Sequence, residues 1–130
     1  MQGQWPGRDV SIDPVWFWVE GLGFGLALSL GLGMAFRLLR GRVPRIGWGI
    51  LHATFATLAT ILLIVLLSGL PRPDLLLDDA ALFFAMAFLG GLTLAGLQVA
   101  GYRAPGVIVF LHGLFAAFAM VLLVVGASRL

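Results

Sequence analysis

Hydrophobic residues fall into four long blocks, and the segments outside these blocks hold nearly all the charged residues and every proline. The blocks cover approximately residues 15–36, 46–70, 80–102 and 106–127. Each block contains the roughly 20 residues with which an α-helix crosses about 30 Å of hydrocarbon. The pattern therefore predicts an all-α integral membrane protein in which four transmembrane helices form an up-down bundle.

Composition agrees with this prediction and limits the kinds of cross-link and metal site that the chain can form. Hydrophobic residues make up 61% of the 130-residue chain and charged residues only 11%, whereas a soluble domain carries about 25% charged residues. The whole chain, residues 1–130, is therefore expected to form a single membrane domain in contact with the lipid bilayer. The absence of cysteine excludes disulfides, thiolate metal sites and iron–sulfur clusters.

All eight basic residues are arginine, and their distribution predicts the orientation of the spans. The connection between the first two spans holds four arginines and the last connection holds one, whereas all six acidic residues lie toward the other side. Short loops rich in arginine stay in the cytoplasm. We therefore expect both termini on the outer side. The absence of lysine and asparagine and the bias toward Gly, Ala and Leu are typical of a GC-rich bacterial genome, so the expected location is a bacterial cytoplasmic (inner) membrane. Because topology explains the arginines and the net charge is only +2, no nucleic-acid partner is expected.

The second half of the sequence repeats the first at a spacing of 60 residues. Nine of the nineteen residues of Ile50–Ser68 are identical to their counterparts in Phe110–Ser128. The identical positions in the first copy are Leu51, His52, Phe55, Ala56, Ala59, Leu62, Leu63, Val65 and Ser68. The sequence thus predicts two tandem helical-hairpin repeats, over about residues 15–70 and 80–127, related by an axis along the membrane normal.

The only two histidines, His52 and His112, occupy equivalent places in this repeat. Each lies six residues inside its span, or roughly 9 Å along the helix, so both are expected at one depth. The second and fourth spans of an up-down bundle are diagonal neighbours, roughly 13–14 Å apart. Two inward imidazoles with an iron between them span such a gap. In layout this resembles bis-histidine membrane cytochromes, which implies His52 and His112 as the axial ligands of a b-type haem.

Other residues fit a haem at this depth. Glycines near the level of the histidines would leave room for a porphyrin, and a phenylalanine one turn from each histidine would line it. These lining candidates are Gly33, Gly49, Gly96, Gly113, Phe55 and Phe115. Arginines on the cytoplasmic side would pair with the haem propionates. The candidates for that role are Arg37, Arg40, Arg42, Arg45 and Arg103.

Other roles for the same residues stay open. A membrane histidine can serve structure alone by bonding a backbone carbonyl or a hydroxyl on a neighbouring helix, such as Thr54, Thr57 or Thr60. The pair can also handle quinone or protons, because ionisable residues inside a membrane are functional candidates by default. Separately, Glu20 in the first span gives the chain a resemblance to small multidrug transporters, which also have four spans and a first-helix glutamate. The rest of that transporter pattern is not evident.

The leading hypothesis is a small b-type cytochrome, or the haem-bearing membrane anchor of a redox complex, that transfers electrons to or from a quinone or a partner subunit. Such a chain would not be an enzyme by itself. The alternative is a non-catalytic accessory subunit of a larger membrane complex, and a homo-oligomer is compatible with either. A haem protein should have both histidines pointing into the bundle with a gap between them. An accessory subunit should have a closed core and a lipid-facing or partner-facing groove, and a transporter should have a water-accessible path to Glu20.

Overall fold

The computed structural model describes residues 13–70 and 74–130, which form four α-helices in an up-down bundle. The helices are α1 (Val15–Leu39), α2 (Ile46–Ser68), α3 (Leu75–Val99) and α4 (Gly106–Ala127). All four are long and apolar enough to cross a membrane. The prediction of an all-α membrane protein with four transmembrane helices is therefore confirmed. Two of the arginines that entered the orientation argument, Arg8 and Arg72, lie outside the described residues.

Helix α3 begins and ends earlier than the predicted span of residues 80–102. The Asp74 carboxylate accepts hydrogen bonds from the backbone N–H groups of Leu76, at 3.0 Å, and Leu77, at 3.1 Å. Capping of this kind satisfies free N–H groups in the first turn, so the helix starts at Leu75 and includes two acidic residues that precede the hydrophobic block. The predicted span started later because hydropathy marks the apolar stretch and does not register the cap.

The turns after α1 and α3 have the same backbone structure. Gly41 and Gly101 adopt left-handed φ values of +70° and +78°. After α3, the Gly101 N–H donates to the Gln98 carbonyl and the Tyr102 N–H to the Leu97 carbonyl, and the equivalent bonds close α1. This pattern is a Schellman motif, in which glycine adopts a conformation that a side chain would strain. Both hairpins therefore turn in the same way at the same place in the repeat.

The buried residues recur at the 60-residue spacing of the sequence repeat. The two hairpins are therefore related by an approximate twofold axis through the bundle centre. α1 packs against α2 and α4, and α3 packs against the same two helices, so repeat-related helices face each other across the diagonals. The Phe24 and Phe84 rings stack on this axis with centroids 3.5 Å apart and planes within 6°. The other equivalent pairs buried in both copies are Phe17 and Leu77, Glu20 and Ala80, Ala27 and Ala87, Ala59 and Ala119, Leu63 and Leu123, and Leu66 and Gly126.

The outer surface of the bundle is apolar on all four helices. Leu22 is 71% exposed, Ile64 60% and Leu92 56%, although each lies well inside a span. A soluble protein rarely presents continuous apolar surface of this extent. Contact with the lipid bilayer accounts for it, and the chain is a multi-pass membrane protein.

Gly126 shows how closely the start of α3 approaches the end of α4. A Cβ atom built on Gly126 would lie 2.7 Å from Leu77 Cδ2 and 2.9 Å from Leu77 Cγ, and Leu77 is fully buried and has no room to move. Gly126→Ala is therefore expected to lower the stability of the bundle by about 1–3 kcal/mol through overpacking. Thermal unfolding followed by circular dichroism in mild detergent measures this change.

Gly113→Ala provides the matched control on the same helix, because no neighbouring atom would lie within 4 Å of a Cβ added there. This variant should unfold at or above the wild-type temperature, since alanine favours helix over glycine by up to about 1 kcal/mol. Equal unfolding temperatures for the two variants would contradict the close contact between Gly126 and Leu77.

Candidate functional site

His52 on α2 and His112 on α4 meet at the centre of the bundle. Their ring centroids lie 5.9 Å apart and the two ring planes are at 80°. The two residues are repeat equivalents on diagonal helices, so their contact also lies on the approximate twofold axis. Both imidazoles point inward, and the rings meet edge to face.

Each imidazole is held by one hydrogen bond to the neighbouring helix of its own hairpin. His52 Nδ1 lies 2.7 Å from the Ala27 carbonyl oxygen on α1, and His112 Nδ1 lies 2.7 Å from the Ala87 carbonyl oxygen on α3. A carbonyl can only accept, so Nδ1 must carry the proton in both rings. Within residues 13–70 and 74–130, neither Nε2 has a hydrogen-bond partner, which leaves this nitrogen available as a ligand.

Glycines on α1 and α3 make room for the imidazoles. A Cβ atom on Gly31 would lie 3.0 Å from His52 Cε1, and one on Gly91 would lie 3.2 Å from His112 Cε1. A Cβ on Gly90 would come within 3.3 Å of the His112 Cβ. These glycines bring the backbones of α1 and α3 against the ring edges, and a larger residue would fit there only if the histidine moved.

The glycines expected from the sequence to lie beside the histidines are elsewhere. Gly33 faces Trp48, whose ring would lie 3.0 Å from an added Cβ. No neighbouring atom would lie within 4 Å of a Cβ on the other three candidates, which are Gly49, Gly96 and Gly113. The sequence-based register is off by two residues, or about half a turn, in the first hairpin and by five residues, or about 1.4 turns, in the second, because the imidazole bonds to the Ala27 and Ala87 carbonyls fix the two hairpins. Gly31 lies one turn beyond Ala27 on the same face of α1 and so meets the ring.

The aromatic residues nearest the axis are not those singled out from the sequence. Phe115 packs against Phe83, with ring centroids 6.0 Å apart, and Phe55 is half-buried on α2. The stacked Phe24 and Phe84 lie on the axis itself, three residues or about 4.5 Å along their helices from Ala27 and Ala87. Their spacing of 60 residues was a visible signal, but nothing in an apolar helix tells which face turns inward.

The arginines gather at the end of the bundle toward which the histidines lie. We call this the loop end, where residues 40–45 and 100–105 connect the helices, and call the opposite end the terminal end. Arg40 places its guanidinium 4.0 Å from the centre of the Phe36 ring, while Arg42, Arg45 and Arg103 lie in the connections. Arg37, in the last turn of α1, has a buried Nε with no partner among the described residues.

Glu20 lies on α1 toward the terminal end and is only 1% exposed. Neither carboxyl oxygen has a hydrogen-bond partner within the described ranges. A transporter that used this residue would require a water path through the whole bundle, and the stacked Phe24 and Phe84 close the core between Glu20 and the loop end. Glu20 is thus remote from the histidine pair and separated from it by the stacked Phe24 and Phe84.

Comparisons with protein-family models, with curated proteins and with solved structures give no match to this chain. Function therefore has to be inferred from the site. Each of the two inward imidazoles has its Nδ1 tied to a carbonyl and its Nε2 without a partner among the described residues, and a neutral imidazole in this tautomer can bind a metal through Nε2. In the part of the chain that the structure describes, neither ring has an acidic partner or a nucleophile beside it, so this arrangement favours ligation over hydrolysis.

The hydrogen bonds to Ala27 and Ala87 make a direct spectroscopic prediction. In the protein without added metal, the neutral forms of His52 and His112 should be protonated at Nδ1 and carry their lone pair on Nε2. Nitrogen-15 NMR of histidine-labelled protein in detergent micelles distinguishes the two tautomers. Because the chain has only two histidines, His52→Gln and His112→Gln assign the signals. Neutral rings protonated at Nε2 would contradict the described geometry.

Proposed function

We propose that this protein is a small b-type cytochrome, or the haem-bearing membrane subunit of a redox complex, with His52 and His112 as axial ligands. The main support is the meeting of two repeat-related imidazoles on the bundle axis, each fixed at Nδ1 by a backbone carbonyl. The duplicated hairpin provides one ligand from each copy, so the iron site would share the approximate twofold symmetry of the bundle.

The ring separation is compatible with an iron between the two histidines. Metal–nitrogen bonds of about 2 Å on each side, with a nitrogen-to-centroid distance of about 1 Å, give centroids roughly 6 Å apart. The rings here are 5.9 Å apart. Each ring has an Nε2 without a partner among the described residues, so each could supply one nitrogen to an iron held between them. The donor set therefore fits a bis-histidine site.

The hydrogen bonds at Nδ1 are the second feature that supports metal ligation by His52 and His112. Metal-bound histidines almost always donate their other ring N–H to a carboxylate, carbonyl or water, which fixes the tautomer and the ring orientation. The Ala27 and Ala87 carbonyls fill this role for His52 and His112. The glycines on α1 and α3 keep the rings seated against those helices, so little ordering would remain to be done when a metal binds.

The buried Nε of Arg37 is the third feature that supports a bound haem. A guanidinium nitrogen that is buried without a partner needs an anion or another acceptor to offset its desolvation. Arg37 lies at the loop end, toward which the histidines also lie, and haem carries two propionates that pair well with arginine. Arg40, Arg45 and Arg103 surround the same end as further candidates. The repeat counterpart of Arg37 is Leu97, so only the first hairpin offers a partly buried arginine at this level.

Bound haem would supply one-electron chemistry, and axial histidines on both faces would leave no open position for oxygen. The residues of this chain would then hold the iron, orient the imidazoles and keep water away, with Phe24 and Phe84 closing the core on the side of the terminal end. Electrons would pass to or from a quinone or a partner subunit. We assign the protein to a bacterial inner membrane, and the rule for arginine-rich loops supports an orientation with both termini outside.

A second candidate is a non-catalytic accessory subunit. It is favoured by the direct edge-to-face contact of the two rings and by the tight Phe24–Phe84 stack, which together describe a closed core. The histidines would then serve only as cross-links between helices, at roughly 0.6–2 kcal/mol for each hydrogen bond in a membrane.

Absorption spectroscopy of the protein purified in mild detergent, after expression with ample haem, tests the proposal. The wild-type protein should show a sharp Soret band and, on reduction with dithionite, a distinct α-band. His52→Ala and His112→Ala should each lose most of this signal, because each removes one axial ligand. Thr54→Ala serves as the control on α2, since its hydroxyl bonds only the Ile50 carbonyl of its own helix.

A colourless wild-type protein under these conditions would refute the haem proposal, and the accessory role would then be preferred. Retention of the full spectrum in both histidine variants would mean that haem is bound elsewhere, which would refute the assignment of these ligands.

A further inference from the structure

Glu20 is the one polar or charged residue buried in the bundle core, among the residues that the structure describes. It lies five residues from the first residue of α1, or roughly 8 Å along the helix from the terminal end. Both of its carboxyl oxygens are buried and unpartnered within the described ranges. An ionised carboxylate in such surroundings is strongly unfavourable unless it is paired or takes up a proton.

The repeat shows that the fold does not require a carboxyl group here. The counterpart of Glu20 in the second hairpin is Ala80, which is fully buried in the same layer of the bundle. One copy of the position is thus filled by a small apolar residue, and that copy packs without a polar group. Glu20 adds a cost in stability that packing does not explain, and an ionisable group retained inside a membrane is a candidate for function.

A proton suits the site better than a metal cation. A cation needs several ligands, and no group of three or more potential metal-binding side chains occurs among the described residues. α2 has no ionisable side chain in its half toward the terminal end, and the only ionisable residue of α4 is His112 in the other half. The remaining charged groups at the described part of the terminal end are Asp13, Asp74, Asp78, Asp79 and Arg129, of which all but the capping Asp74 are exposed.

We propose that Glu20 is a proton-binding site that exchanges its proton with the aqueous phase at the terminal end of the bundle. The step is a simple association, in which the carboxylate takes up one proton at one oxygen and releases the same proton without any other bond changing. Uptake removes the negative charge of Glu20 from the bundle core. This site is independent of the histidine pair and of any haem bound there.

Infrared spectroscopy of the full-length protein in lipid nanodiscs tests this site. The wild-type protein should show a carboxylic acid C=O stretch that disappears reversibly as the pH is raised and shifts when H₂O is replaced by D₂O. Glu20→Gln should lack this band. Asp78→Asn, which removes an exposed carboxyl from α3, should retain it.

Glu20→Ala provides a second variant that copies the Ala80 position, in case the glutamine variant does not fold; circular dichroism verifies helix content for both. Absence of a Glu20-dependent acid band at every pH at which the bundle stays helical would overturn the proposal. A band that neither titrates nor shifts in D₂O would also overturn it, because the proton would then be trapped. Since no haem is needed, these outcomes are separate from the fate of the haem proposal.

Discussion

The hydrogen bond from each imidazole to a backbone carbonyl of the preceding helix is the interaction on which the arrangement of this bundle depends. Lipid offers no partner for a polar group, so an N–H inside a span must find its acceptor within the protein. The Nδ1–H of His52 donates to the Ala27 carbonyl and that of His112 donates to the Ala87 carbonyl. Each nitrogen–oxygen distance is 2.7 Å, and each bond joins residues 25 positions apart. These bonds fix how each hairpin is aligned, and the same alignment brings glycines of α1 and α3 against the rings.

Duplication then places equivalent groups on one axis. Two equivalent hairpins pack face to face, so residues on their shared inner surface meet their own counterparts, as the Phe24–Phe84 stack and the His52–His112 pair do. The differences between the copies are equally informative. Glu20 corresponds to Ala80 and Arg37 to Leu97, so the buried polar atoms without a partner, among the described residues, all belong to the first hairpin.

Much of this arrangement could be predicted from the sequence. Hydropathy was enough to predict four spans, and the place of the histidines in the 60-residue repeat predicted that both would point inward at one depth. The start of α3 was missed because it depends on the Asp74 cap, and the contact of Gly31 with His52 was missed because it depends on hairpin register. Helices that are apolar on every face carry no periodic signal of which side turns inward, so the stacking of the axial phenylalanines could not be predicted either.

Electron paramagnetic resonance of the oxidised, haem-supplemented protein is the sharpest test of bis-histidine ligation, because the signal reports both axial ligands and the angle between them. With His52 and His112 bound at their observed 80°, we expect a strongly anisotropic low-spin ferric signal, typical of two imidazoles with nearly perpendicular planes. A high-spin signal, or no ferric haem signal in a correctly folded protein, would contradict ligation by this pair.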